Sequence, residues 1–173
     1  MKKHWFFSFI LLGLLIFGGC GGQDTAAPDQ GLDSHGHDHE HGDLPYEWSG
    51  EYTFDSGIFT LEFMESGDPS CDIAFFMNEG DMDEIAHYAH HVMEEEMEAV
   101  QPGGNFTVVP DYGYTLLLNP SQTTFTFEIT EAGEYVVFLE HFPHEFDLKV
   151  LDSSGNEVEA KNPVEYEDCG NYH

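Results

Sequence analysis

The chain reads as a mainly β protein, an antiparallel β-sandwich of about eight short strands with one inserted α-helix. Three observations predict this. Short runs rich in β-branched and aromatic side chains recur from Tyr46 onward. Turn-forming clusters separate them, among them Asp55-Ser56-Gly57, Ser66-Gly67-Asp68-Pro69, Asn119-Pro120, Ala132-Gly133 and Ser153-Ser154-Gly155. One stretch, residues 81–100, carries a convincing helical period.

In chain order, strands are expected at 51–54, 58–64, 71–77, 105–109, 114–118, 123–129, 134–140, 146–151 and 157–160. The third holds Ile73, Ala74, Phe75 and Phe76 together, the mark of a buried strand. The helix expected over 81–100 gathers Met82, Ile85, Ala89, Val92, Met93 and Val100 on one side. His87, His91, Glu94 and Glu98 fall opposite, with His90 at the edge. Asp81 or Asn78 can cap its start, and acids in the first turn suit the helix dipole. Gln101-Pro102-Gly103-Gly104 ends it.

The first nineteen residues look like a targeting segment rather than part of the fold. Lys2 and Lys3 precede an apolar run from Trp5 to Phe17, and Gly18-Gly19-Cys20 follows. This resembles the lipobox of bacterial lipoprotein precursors, with Phe17 where leucine is commonest. The resemblance implies acylation of the Cys20 thiol and cleavage just before it. The mature protein would then be anchored by lipid to a bacterial membrane, in the periplasm or at the cell surface. Residues 20–44 are rich in Gly, Asp, His, Gln and Pro and read as a flexible linker. Residues 45–173 form the sandwich, one domain with a real core.

The strand pattern over 125–158, from Phe125-Thr126-Phe127 to Asn156-Glu157-Val158, resembles pre-peptidase C-terminal domains, and more loosely cupredoxin-like sandwiches. That resemblance implies the fold and a binding module attached outside cells.

The full chain carries a formal charge of −30. Removing residues 1–19 takes away Lys2 and Lys3 but no acid, leaving Lys149 and Lys161 against thirty-four carboxylates, a charge of −32. Such a surface repels nucleic acid and anionic lipid headgroups and concentrates cations. With Cys20 lipidated, Cys71 and Cys169 remain, an even pair that suggests a disulfide in an exported domain. The competing reading places Cys169 with His173 at a soft-metal site.

Histidine carries the functional signal. His35, His37, His39 and His41 alternate with Gly, Asp and Glu in the linker, a composition associated with metal binding. His87, His90 and His91 lie on the helix, and His141 and His144 lie in Glu140-His141-Phe142-Pro143-His144-Glu145 after a very apolar strand. Nine of the ten mature histidines thus fall in three tight groups, with His173 apart. The i, i+4 pairs His87/His91 and His90/Glu94 can each place two ligands on one ion. The helix and rim groups are expected to share one site built on His141, two of the helix histidines, and His144, Glu140 or Glu94. Such a nitrogen and oxygen donor set suits zinc, with copper(II) or nickel as alternatives.

The expected function is therefore a membrane-anchored, extracytoplasmic lipoprotein that captures, buffers or delivers a divalent transition metal, with a metal transporter as partner. An adhesion or protein-binding module with incidental histidines is the alternative, as is a cupredoxin-like copper protein. Enzymes rank last, because Gly-x-Ser-x-Gly, His-Glu-x-x-His and the phosphate-binding glycine loop are all absent. Asp81-Met82-Asp83 opens like a calcium loop but lacks the glycine and terminal glutamate that follow.

Overall fold

The computed structural model describes residues 44–166 and shows a β-sandwich. Ten strands run in chain order as β1 (Trp48–Phe54), β2 (Gly57–Phe63), β3 (Ser70–Met77), β4 (Glu98–Val100), β5 (Asn105–Thr107), β6 (Tyr112–Leu117), β7 (Thr123–Ile129), β8 (Gly133–Leu139), β9 (Lys149–Leu151) and β10 (Lys161–Glu165). Among the described residues the single α-helix, α1 (Met82–Glu94), lies between β3 and β4, and a 3-10 turn spans Pro143–Glu145. One sheet has the order β10-β1-β8-β3-β6-β4 and the other β5-β7-β2-β9. All pairings are antiparallel except β4 with β6 and β5 with β7.

Two apolar layers explain why residues 73–77 of β3 and 135–139 of β8 read as unbroken apolar runs. Cys71, Ile73 and Phe75 of β3, with Tyr135, Val137 and Leu139 of β8, point between the sheets. There they meet Phe54, Phe59, Leu61, Phe63, Phe125 and Phe127. The alternate residues Ala74, Phe76, Val136 and Phe138 point to the outer face, where Ile85, Ala89 and Met93 of α1 cover them together with Tyr46. Strands buried on both faces lose the polar alternation that a half-exposed strand keeps.

The helix is shorter than its sequence period suggests. Asp81 caps it by accepting the backbone N–H of Asp83 at 2.9 Å. It ends at Glu94, and residues 98–100, expected to be helical, form β4 instead. Glu94, Glu95 and Glu96 would crowd negative charge at the C-terminal end, where the helix dipole disfavours it. Val100 gains more from burial in the sandwich.

Other boundaries shift too. The strand expected at 146–151 is confined to Lys149–Leu151, because Phe146 closes the 3-10 turn and Asp147 adopts a left-handed φ of 44°. The segment 157–160 contributes only the bridge Leu151↔Glu157. The last strand is β10, entirely exposed and paired with β1 at the sheet edge. Pro163 is tolerated there because an edge strand leaves one row of backbone groups unpaired. Among the described residues, no helix is long and apolar enough to cross a membrane.

The signal segment, the histidine tract at His35, His37, His39 and His41, Cys20, and the tail with Cys169 and His173 lie outside the described residues. Of the expected disulfide, only Cys71 is therefore described. Among the described residues it has no disulfide partner; it is 0% exposed, and its Sγ lies 3.6 Å from the Asp72 carbonyl.

Candidate metal centre

The site lies at the rim where β1 begins and β8 ends. Trp48 and Ile73 flank Leu139 in register. The ladder continues one step past the strands on both sides: Glu47 donates its backbone N–H to the Leu139 carbonyl at 3.0 Å, and Glu140 donates to the Asp72 carbonyl at 3.0 Å. This pairing fixes the backbones of Glu47, Asp72 and Glu140 side by side, and His141 follows directly.

The next turn folds back because Pro143 starts a 3-10 helix, closed by Glu145 N–H to the Phe142 carbonyl at 3.1 Å and Phe146 N–H to the Pro143 carbonyl at 3.3 Å. Phe146 holds the turn down. Its ring is 2% exposed, meets Phe63 edge-on at 5.6 Å and lies 5.9 Å from the imidazole of His141. The aromatic core of the sandwich thus sets the height of the loop that carries Glu145.

The result is a donor cluster of Glu47, His141 and Glu145, with one ligand atom from each, all within 4.8 Å of one another. Among the described residues it is the group of three or more His, Cys, Asp or Glu donors close enough to hold one ion. Nδ1 of His141 lies 3.8 Å from Oε2 of Glu47, and Nε2 lies 3.8 Å from Oε2 of Glu140 on the other side of the ring. That Glu140 oxygen also accepts the Asp72 backbone N–H at 3.0 Å. The imidazole is held between two carboxylates, one open to the cluster and one tied to the sheet.

The donor set fits a small divalent ion. Zinc bound to nitrogen and oxygen at about 2.0–2.2 Å in a tetrahedron sets donors roughly 3.4 Å apart. The cluster needs to close by about an ångström to reach that spacing, which the exposed Glu145 side chain can supply by rotation. Three protein ligands would leave a fourth position for water or an incoming ligand, as in open zinc sites.

The structure assembles only part of the expected constellation. His141 is in the cluster, and Glu140 adjoins it. His144 is exposed and stacks on the Phe142 ring at 5.4 Å, outside the cluster. The helix histidines do not join His141, contrary to the shared site expected. Ile85, Ala89 and Met93 face the sheet, so the opposite face of α1, with His87 and His91, is turned to solvent. The His90/Glu94 pair does form, with Nε2 3.4 Å from the carboxylate. Glu47 and Glu145 were not singled out by the sequence. Glu145 carried a faint signal, four residues after His141, whereas Glu47 is far from both in the chain and reaches them only through the β1–β8 register.

Cys71 sits beside this rim but offers it no thiolate. Burial pushes its thiol pKa up, and the neighbouring Glu140 and Asp72 charges add to the effect. Comparison of the chain with protein-family models, curated proteins and solved structures gives no match.

Proposed function

We propose that the protein is a lipid-anchored, extracytoplasmic metal-binding protein that captures a divalent transition metal, zinc in the first place, and buffers it or hands it to a transporter. The observation that carries this reading is the convergence of Glu47, His141 and Glu145 within 4.8 Å at an accessible rim. Two carboxylates and a neutral imidazole supply two negative charges, enough to balance a dication. An open coordination position favours exchange over permanent structural binding. The lipobox-like segment supplies the anchor. The His35–His41 tract ends six residues before Glu47 and supplies further imidazoles along the same chain. The strongly negative surface raises the local concentration of any cation.

The test is zinc stoichiometry by calorimetry on the full mature chain and on His141→Ala. The expected result is loss of one tight site with the remaining weaker binding intact. An unchanged number of tight sites contradicts the proposal. A purified chain that holds zinc, copper and nickel no better than a histidine-free acidic polypeptide ends it altogether.

A further inference from the structure

The three helix imidazoles divide two and one. His90 turns inward: its Nδ1 is buried without a hydrogen-bond partner, and its Nε2 is 3.4 Å from Glu94. One nitrogen is thus enclosed and the other is engaged by a carboxylate. His87 and His91 are both exposed, one helical turn apart, with ring centroids 4.7 Å apart and planes at 84°. Their backbone is firmly held. Ile85, Ala89 and Met93 are buried against the sheet, and the Tyr46 hydroxyl donates to the Ala86 carbonyl at 3.1 Å. A helix fixed in this way presents the pair in one geometry, so little order remains to be imposed on binding an ion.

We propose that His87 and His91 form a two-imidazole chelate for a divalent transition-metal ion, separate from the rim cluster, with copper(II) held most tightly. Imidazole pairs suit copper, nickel and zinc, and copper(II) heads the affinity order for a given nitrogen site. The remaining coordination positions go to water or to a neighbouring carboxylate, of which Glu84 and Glu94 each lie three residues from one member of the pair. The rim cluster is a different kind of site, with one nitrogen and two oxygens. Helix-dipole stabilisation accounts for a histidine in the last turn, which is His91. It does not account for a second imidazole one turn earlier in ring contact with it. This inference is independent of the rim reading, since it uses none of the same residues.

The test must discount any metal taken up by the tract histidines. Thermal unfolding does so, because sites with equal affinity in folded and unfolded chains cancel from the midpoint. Full mature chain is melted with and without excess copper(II) as wild type, His87→Ala, His91→Ala, His90→Ala and His141→Ala. Copper at about a hundred times its dissociation constant raises the folding equilibrium about a hundredfold, a midpoint rise of several degrees. That rise is expected to persist in His90→Ala and to fall sharply in His87→Ala and in His91→Ala, whereas His141→Ala removes only the share that the rim cluster contributes. The metal-free midpoints of all four, set against wild type, identify any variant that fails through folding. His87→Gln and His91→Gln, which keep a polar side chain of similar size, must then show the same loss. The proposal is overturned if wild type shows no rise, if the rise is undiminished by loss of His87 or of His91, or if His90→Ala abolishes it. The rim reading is judged separately by zinc stoichiometry in His141→Ala, so either can fail alone.

Discussion

One oxygen of Glu140 serves two neighbours: it accepts the Asp72 backbone N–H at 3.0 Å and lies 3.8 Å from Nε2 of His141. Metal-binding histidines commonly donate their second ring N–H to a carboxylate, which orients the ring and strengthens its basicity. With Nδ1 turned toward Glu47, Glu140 is placed for that role. Glu140→Gln keeps an acceptor for Asp72 but removes the charge beside the ring. We expect zinc affinity to fall about ten- to a hundredfold at unchanged stoichiometry, read by calorimetry, with little change in stability. An unaltered dissociation constant would remove Glu140 from the site.

Phe146 links the core to the metal loop. Replacing this buried ring by alanine leaves a cavity against Phe63 and should cost about 3–5 kcal/mol in urea denaturation. It also frees the turn that positions Glu145. Phe146→Leu should recover much of the stability but less of the zinc affinity, because a smaller side chain leaves the loop less well supported. Equal recovery of both would show that the ring does not position the site.

Alkaline solution should weaken the fold before it disrupts the chain. Burial pushes the phenols of Tyr46 and Tyr52 up to about 12, with Tyr166 and Glu157 adding smaller contributions. In the unfolded chain tyrosine ionises near pH 10. Between those values the unfolded state has released protons that the folded state still holds, so stability falls as pH rises. The contribution is complete below pH 10 and is lost as pH climbs toward 12. Urea midpoints at pH 9 and pH 11.5 check this, and Tyr52→Phe should flatten the slope between them.

Cys71 should be silent toward thiol reagents in the native protein. It is wholly enclosed and its thiolate is disfavoured by burial. Labelling with a disulfide reagent is expected only at the rate of unfolding, accelerating in urea. A thiol count on the fully denatured, unreduced mature chain shows whether Cys71 is bridged. Labelling of Cys71 at once in the native state would mean that this part of the rim opens.

Much of the architecture was legible because it is local. The turn clusters and aromatic runs located β1, β2, β3, β6, β7 and β8 to within a few residues, since each strand is stabilised by its own alternation or apolar content. The failures came where distant contacts overruled local preference. The helical period ran on to Val100, but three glutamates at the C-terminal end and a buried slot beside β6 favour a strand there. The expected strands end at residue 160, yet pairing with β1 makes an edge strand of Lys161–Glu165.

The same division holds for the site. The order of residues alone determined that imidazoles are gathered in three groups on a very acidic chain, that one group lies on a helix, and that His141 stands at the end of a buried strand. It could not decide which groups meet, because that depends on which helix face the sheet buries and on which strands pair. Ile85, Ala89 and Met93 turned the helix histidines outward, and the β1–β8 register brought Glu47 to His141. Burial of apolar surface, which acts across the whole chain, chose the partners of side chains that take no part in it.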